Sequence, residues 1–226
     1  MVAELEKSVI SRCGKDHIFL GAGWEVRCVA HVINLIAQDF IKALHKESIS
    51  DEEASRLRWW ERENHVDVIE RVRLLCLWVR GSPLRQQEWL ALASPRINRK
   101  SIRYDVQTRW NSTCRMLEDA QEMQVTFDLY THQQPQLRHL ALSKNEWVLL
   151  GDVVKVLRRF KTLTNLVSEA EPQLTVVMGI YYDLQDLLQE ASDGEGGFKD
   201  IAPAVQRAAA TAMSKHHKYY ENSCGP

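Results

Sequence analysis

No hydrophobic stretch in this 226-residue chain approaches the length that crosses a bilayer, which takes about 20 residues. No basic start leads into an apolar core and a cleavage site either, so neither a membrane span nor a secretory leader is read. Charge of one sign is not in excess: 29 Lys and Arg face 30 Asp and Glu, a net of -1. Attraction to nucleic acid or to an anionic surface therefore has to come from a local patch. Cysteine is sparse, with five residues at irregular positions 13, 28, 76, 114 and 224. An odd, scattered set in a chain of this size excludes a disulfide framework and fits a reducing compartment. Glycine-rich phosphate loops, GxSxG elbows and HExxH zinc helices are absent, as are internal repeats and long low-complexity tracts. The expectation is a soluble, intracellular globular protein.

What the chain has in abundance is helical periodicity. Only Glu25-Val26-Arg27-Cys28-Val29, entered from Gly21-Ala22-Gly23, alternates as a strand does. From His31 the spacing becomes helical, with Val32, Leu35, Ile36, Phe40 and Ile41 or Leu44 on one stripe. Residues 45–64, crowded with charge around Trp59-Trp60, read as an exposed connection or a weak helix. A strong helix covers 66–79 and is stopped by Gly81-Ser82-Pro83, and a short one covers 85–93. After a basic, strand-poor stretch, Met116, Leu117, Ala120, Met123, Phe127 and Tyr130 predict one helix with Asn111 or Ser112 as its N-cap. Ser143 and Glu146 have the spacing of a capping box ahead of Trp147, Leu150, Val154, Leu157 and Phe160. Pro172 opens a helix that ends at Asp193-Gly194-Glu195-Gly196-Gly197. An Ala-rich helix over 202–220 ends in Lys215-His216-His217-Lys218, read as an exposed end whose cations complement the dipole.

Two short motifs carry the chemistry. Cys28 and His31, three apart where a strand hands over to a helix, have the spacing to share a metal or to form a thiolate-imidazole pair. A structural zinc site would need two more ligands, and Cys13, His17 and His45 form no compact second pair. The blander alternative is a small buried Cys and a hydrogen-bonded His that fixes the turn. Arg109-Trp110 sets a guanidinium beside an indole at a helix entrance, suited to holding a phosphate and stacking an unpaired base. Around it, Arg96, Arg99, Lys100, Arg103, Arg109 and Arg115 stand against a single acid, Asp105, a local net of about +5. The alternative there is that Trp110 belongs to the core and the charges form a solvated face.

The segment Cys28-Val29-Ala30-His31-Val32-Ile33-Asn34-Leu35 resembles the CxxH-x-x-NL segment of hAT-type transposases. Thr108-Arg109-Trp110-Asn111-Ser112-Thr113, followed by Met116-Leu117, resembles their TRWNST-x-x-ML segment. Val72-Arg73, Ser82-Pro83-x-Arg85, Phe160 with Thr164 and Pro172, and Met213 with Lys215, Lys218, Tyr219 and Tyr220 follow the same order. The resemblance implies part of a DDE-type, RNase H-like core interrupted by a large helical insertion. In that family three acids hold Mg2+ or Mn2+ in a two-metal mechanism. The first two acids lie upstream of the CxxH segment, and the glutamate lies beyond the insertion.

Val2-Ala3-Glu4-Leu5-Glu6-Lys7 resembles the helix just after the second acid, so all three acids are expected outside this chain, along with a BED-type zinc finger and a dimerisation segment. Carried over, Cys28 and His31 fall near the family's active site, and Trp110 corresponds to its stacking residue at the flipped base. The expected fold is mainly α, with a partial RNase H-like core and its short N-terminal strand in 1–45 and the helical insertion region in 46–226. The expected function is that of a truncated or domesticated transposase-like protein. It would be no enzyme, would bind no cofactor of its own, and would reside in the nucleus by resemblance alone. Its expected partners are hairpin or single-stranded DNA, or a second copy through unpaired core surface. The alternatives are a structural or protein-interaction module, a transposon relic without a role, and a metal or thiol enzyme built on Cys28 and His31.

Overall fold

A computed structural model describes residues 29–47, 67–93, 101–106, 109–169 and 174–224, and every regular element among them is helical. Eight α-helices occur among these residues: α1 (Val29–Glu47), α2 (Val68–Arg80), α3 (Pro83–Leu92), α4 (Trp110–Glu122), α5 (Gln124–Gln133), α6 (Lys144–Glu169), α7 (Leu174–Asp193) and α8 (Pro203–Cys224). The strand expected at Glu25–Val29 lies outside the described residues except for Val29, which is the first residue of α1. The partial RNase H-like core expected with it is therefore not among the described elements.

The longest helix, α6, is the axis of the structure. Its 26 residues extend about 39 Å at 1.5 Å per residue. It packs against α4, α2 and α1, and against α7 and α8. Its start is the capping box that the sequence predicts: Ser143 N–H donates to Glu146 Oε2 at 2.7 Å, and Glu146 N–H donates to Ser143 Oγ at 3.4 Å. Glu146 also takes a hydrogen bond from Arg71 on α2, tying the cap to a neighbouring helix.

The α1 stripe is buried as its spacing requires, with Val32, Ile33, Ile36, Ala37 and Phe40 fully enclosed. Phe40 meets Phe160 of α6 at 6.2 Å between ring centroids. On its other side α1 lies along α8, where Ala208, Ala209 and Ala212 are fully buried and let the two backbones approach. Helix α1, drawn from the first expected segment, thus shares one continuous core with helices of the second.

Three details differ from the sequence expectation. Pro83 does not merely stop α2; it stands at the first turn of α3, where its missing N–H is no loss. The stretch 116–130 is two helices, because the chain leaves helical geometry at Met123 (φ -102°, ψ 21°), a break marked by neither Gly nor Pro. His216, expected on an exposed end, is fully buried and donates from Nε2 to Tyr181 O at 3.1 Å.

Helix α2 starts at Asp67, whose Oδ1 accepts from Ile69 N–H at 2.6 Å and Glu70 N–H at 3.1 Å, while Oδ2 meets His45 near the end of α1. Asp67→Ala removes the cap and this link together. We expect a loss of about 1–2 kcal/mol in chemical denaturation, with Asp67→Asn, which caps as well, recovering most of it.

Candidate nucleic-acid interface

The residues 101–106 run without regular structure alongside α2 and α4, and four of them are fastened there. Ile102 is buried in the core. Arg103 grips Asp119 of α4 with Nε to Oδ2 at 2.7 Å and Nη2 to Oδ1 at 2.6 Å, and its backbone N–H donates to the same carboxylate. Asp105, fully buried, accepts from Arg73 Nε at 2.9 Å, Arg73 Nη2 at 2.7 Å and Thr113 Oγ1 at 2.8 Å. Ser112 Oγ accepts from Val106 N–H at 2.7 Å and lies 2.9 Å from Val106 O. Arg109 N–H donates to Val106 O at 2.7 Å, closing the turn into α4.

Burial acts to raise the Asp105 carboxyl, but the bonds from Arg73 and Thr113 and the Arg73 charge outweigh it and hold the group below the ordinary carboxylate range. The same pair acts on Arg73: burial acts to lower it, and Asp105 together with Glu70 raises it. Arg73 also bonds Glu70 one turn back on α2, so the buried cation has two carboxylate partners. This hub fixes where the segment meets the two helices.

The TRWNST motif divides between frame and surface. Trp110 is 2% exposed and meets Phe160 of α6 edge to face, at 6.0 Å between centroids. In this structure its faces are closed to a base, and the indole is part of the core. Arg109, not Asn111 or Ser112, is the N-cap of α4, because the Ser112 hydroxyl is engaged with Val106 and the Arg109 carbonyl. The Arg109 side chain is exposed and makes no ion pair among the described residues. Arg115 is exposed on the same helix. Arg103 is half exposed but matched in charge by Asp119.

Arg96, Arg99, Lys100 and Cys28 lie outside the described residues, as does Thr108. His31 is exposed on the first turn of α1. Among the described residues no three His, Cys, Asp or Glu side chains gather as a metal site. The buried carboxylates are engaged instead: Asp105 by Arg73, Asp119 by Arg103, and Asp152 by Lys155 and the Ala202 N–H. This donor set does not fit a divalent ion, and no metal-dependent step is assigned to it. Cys76 and Cys114 are buried, and burial pushes the Cys114 thiol up to about 11, which leaves it protonated and inert at neutral pH. No described helix is long and apolar enough to cross a membrane.

The Arg73–Asp105–Thr113 hub is not among the sequence expectations. A signal for it exists: Arg73 stands four residues after Ile69 and three before Cys76, on the apolar face of α2, where a cation has to find a buried partner.

The family described as the ZBED1 RNase-like helical domain matches residues 61–156. The chain is 30% identical over 179 residues to a Talaromyces stipitatus protein named as transcriptional regulator tpeD, a match covering 74% of this chain and 20% of that protein. It is 28% identical over 211 residues to the AC transposase of Zea mays, covering 90% of this chain and 22% of the maize protein. A third similarity, 28% over 116 residues, is to the zinc finger BED domain-containing protein RICESLEEPER 2 of Oryza sativa, with 50% of this chain and 13% of that protein covered. The chain thus spans about a fifth of the length of the first two relatives. No solved structure matches.

Proposed function

The chain belongs to the hAT-type transposase family, and from that membership we propose that its helical region is a DNA-positioning unit in which Arg109 contacts the phosphate backbone and Trp110 holds the frame. The observation that carries this reading is the split within one motif, an exposed, unmatched guanidinium directly before a buried indole. Arg109 stands at the N-terminus of a 13-residue helix with no acid in its first turn. The partial positive charge of the helix end and the guanidinium therefore act on an approaching phosphate together.

The protein is proposed to be no enzyme in itself: the carboxylates buried among the described residues, Asp105, Asp119 and Asp152, are each paired with a cation. Its proposed partner is hairpin or single-stranded DNA, and its proposed site of action is the nucleus. The name of the fungal relative, a transcriptional regulator, supports a domesticated protein whose DNA contact serves something other than transposition.

Salt-dependent binding of a hairpin oligonucleotide tests this. Arg109→Ala is expected to weaken binding across sequences and to reduce the slope of log affinity against log salt by about 1. Binding by wild type that is negligible at low salt would overturn the reading.

A further inference from the structure

We infer that Ser101 is a phosphorylation site and that the cavity it borders between α2 and α3 receives the phosphate, with Arg80 as its cation, independently of any DNA contact by Arg109. Ser101 begins the irregular segment 101–106, and its exposed hydroxyl makes no hydrogen bond among the described residues. Every other exposed Ser or Thr hydroxyl among the described side chains is engaged. Ser143 belongs to the capping box, and Thr162, Ser168, Thr211 and Ser214 donate to carbonyls of their own helices. An acceptor hydroxyl has to enter the cleft of another enzyme, which exposed irregular backbone permits and the middle of a helix does not.

Ser101 shares with Arg80, Gln86 and Trp89 the wall of a cavity of about 200 Å³. Arg80, the last residue of α2, is exposed and makes no ion pair among the described residues. Its carbonyl accepts from Gln86 Nε2 at 3.2 Å, which ties α3 to the end of α2. Trp89 is fully buried, and its Nε1 is a donor without a hydrogen-bond partner. The cavity therefore brings an unmatched guanidinium and an unsatisfied indole N–H together with an unbonded hydroxyl. No carboxylate lines it, whereas the clefts beside Glu118 and Asp119, beside Asp152, and beside Asp183 and Asp186 all carry acids. Of these four, this cavity is the one whose charge suits an anion.

A phosphoserine brings a charge of about -1.5 to -2 and three acceptor oxygens, two of which a guanidinium can hold at once. Next to Ser101 the chain is already fixed, with Ile102 buried and Arg103 bonded to Asp119 through backbone and side chain. Little backbone entropy is left to lose when the phosphate seats, so it fastens the leading end of the segment to α2. The reaction is a phosphoryl transfer from a nucleoside triphosphate. The bond from Ser101 Oγ to the γ-phosphorus forms and the bond from that phosphorus to the bridging oxygen breaks. Nucleoside diphosphate leaves, and the hydroxyl proton passes to the base of the kinase. In sequence Arg99 and Lys100 directly precede Ser101, so the complementary enzyme is a protein kinase with an acidic substrate cleft.

Two measurements on the full chain test this. The folded protein is incubated with magnesium ATP and a kinase that prefers basic sequences, and the product is mapped by mass spectrometry. Phosphate on Ser101 is the expected result, and a Ser101 left unmodified would overturn the assignment of the site. The chain prepared with phosphoserine at position 101 is then titrated by phosphorus NMR. Contact with Arg80 is expected to bring the phosphate midpoint to about 5, and Arg80→Gln to return it to the ordinary value of about 6. Arg80→Lys, which keeps the charge, should stay nearer to wild type. Urea midpoints of the unmodified variants should match wild type, because Arg80 is exposed and pairs with no acid among the described residues. The same phosphate midpoint in wild type, Arg80→Gln and Arg80→Lys would overturn the seating of the phosphate on Arg80.

Discussion

Asp105→Ala is expected to destabilise the fold by about 3–5 kcal/mol, because it leaves a buried guanidinium without its bidentate partner. Arg73 is 4% exposed and Asp105 is fully enclosed, so water does not replace the lost carboxylate. The retained contact to Glu70, which is partly open to solvent, places the effect toward the lower end. Two further variants separate charge from packing. Thr113→Val removes one hydrogen bond and should cost about 1 kcal/mol. The double variant Arg73→Met with Asp105→Leu should recover most of the loss, since exchanging a whole buried pair for apolar groups is often neutral. Urea denaturation of the four proteins reads these differences directly.

The same hub sets a pH dependence. Asp105 has a folded-state pKa below its unfolded value of 3.8. Its contribution is thus fully present above that value and lost as pH falls through the lower, folded one. Asp67, Glu118 and Glu146 are shifted in the same direction; burial acts to raise each, and bonds from His45, Arg158 with Lys161, and Ser143 with Arg71 respectively outweigh it. His216 is lowered from 6.5, first by burial and then by the charge of His217, with its bond to Tyr181 opposing. Its neutral form is the folded one, so loss of stability begins as pH falls below 6.5. A fall in denaturation midpoint on acidification, beginning near that value and steepening below 4, is the expected profile.

Trp110→Ala is the second large effect, expected at about 3–5 kcal/mol for a fully enclosed indole. Trp110 sits on the Phe160 ring of the axial helix, and Phe160 in turn meets Phe40 of α1. Truncation therefore opens a void where three helices meet. Trp110→Phe keeps an aromatic edge toward Phe160 and should lose far less. DNA binding in Trp110→Ala is expected to fall only as the folded fraction falls. A Trp110→Ala protein that retained its midpoint yet lost single-strand binding would return the stacking role to the indole.

How much was legible in the sequence varies with the kind of signal. The α6 capping box and the α1 stripe are local patterns: the box is realised by Ser143 with Glu146, and the stripe by Val32, Ile36 and Phe40, with Leu35 only half-buried and Ile33 and Ala37 enclosed beside them. Residue type puts an Asn111 or Ser112 cap at the start of α4, while the Ser112 hydroxyl is drawn to Val106, six residues back. No local rule sees that bond. The burial of Trp110 was readable in principle, since it shares a helical stripe with Thr113, Cys114 and Leu117, all buried. The same holds for His216, which continues the face of Val205, Ala208, Ala209 and Ala212. For His216 the residue type, and for Trp110 the family resemblance, outweighs a periodic position that already offers the core. Arg103 looked like a free cation because Asp119, its partner, lies 16 residues on and meets it only after α4 has formed.

The most direct test of the split within the Arg109-Trp110 pair is one paired measurement on Arg109→Ala and Trp110→Phe, namely hairpin-DNA affinity at low salt alongside the urea midpoint. The expected result is that Arg109→Ala loses affinity with an unchanged midpoint, and that Trp110→Phe keeps its affinity wherever it remains folded. Unchanged affinity in Arg109→Ala, or lost affinity in a fully folded Trp110→Phe, would contradict the assignment of DNA contact to the guanidinium and of framework to the indole.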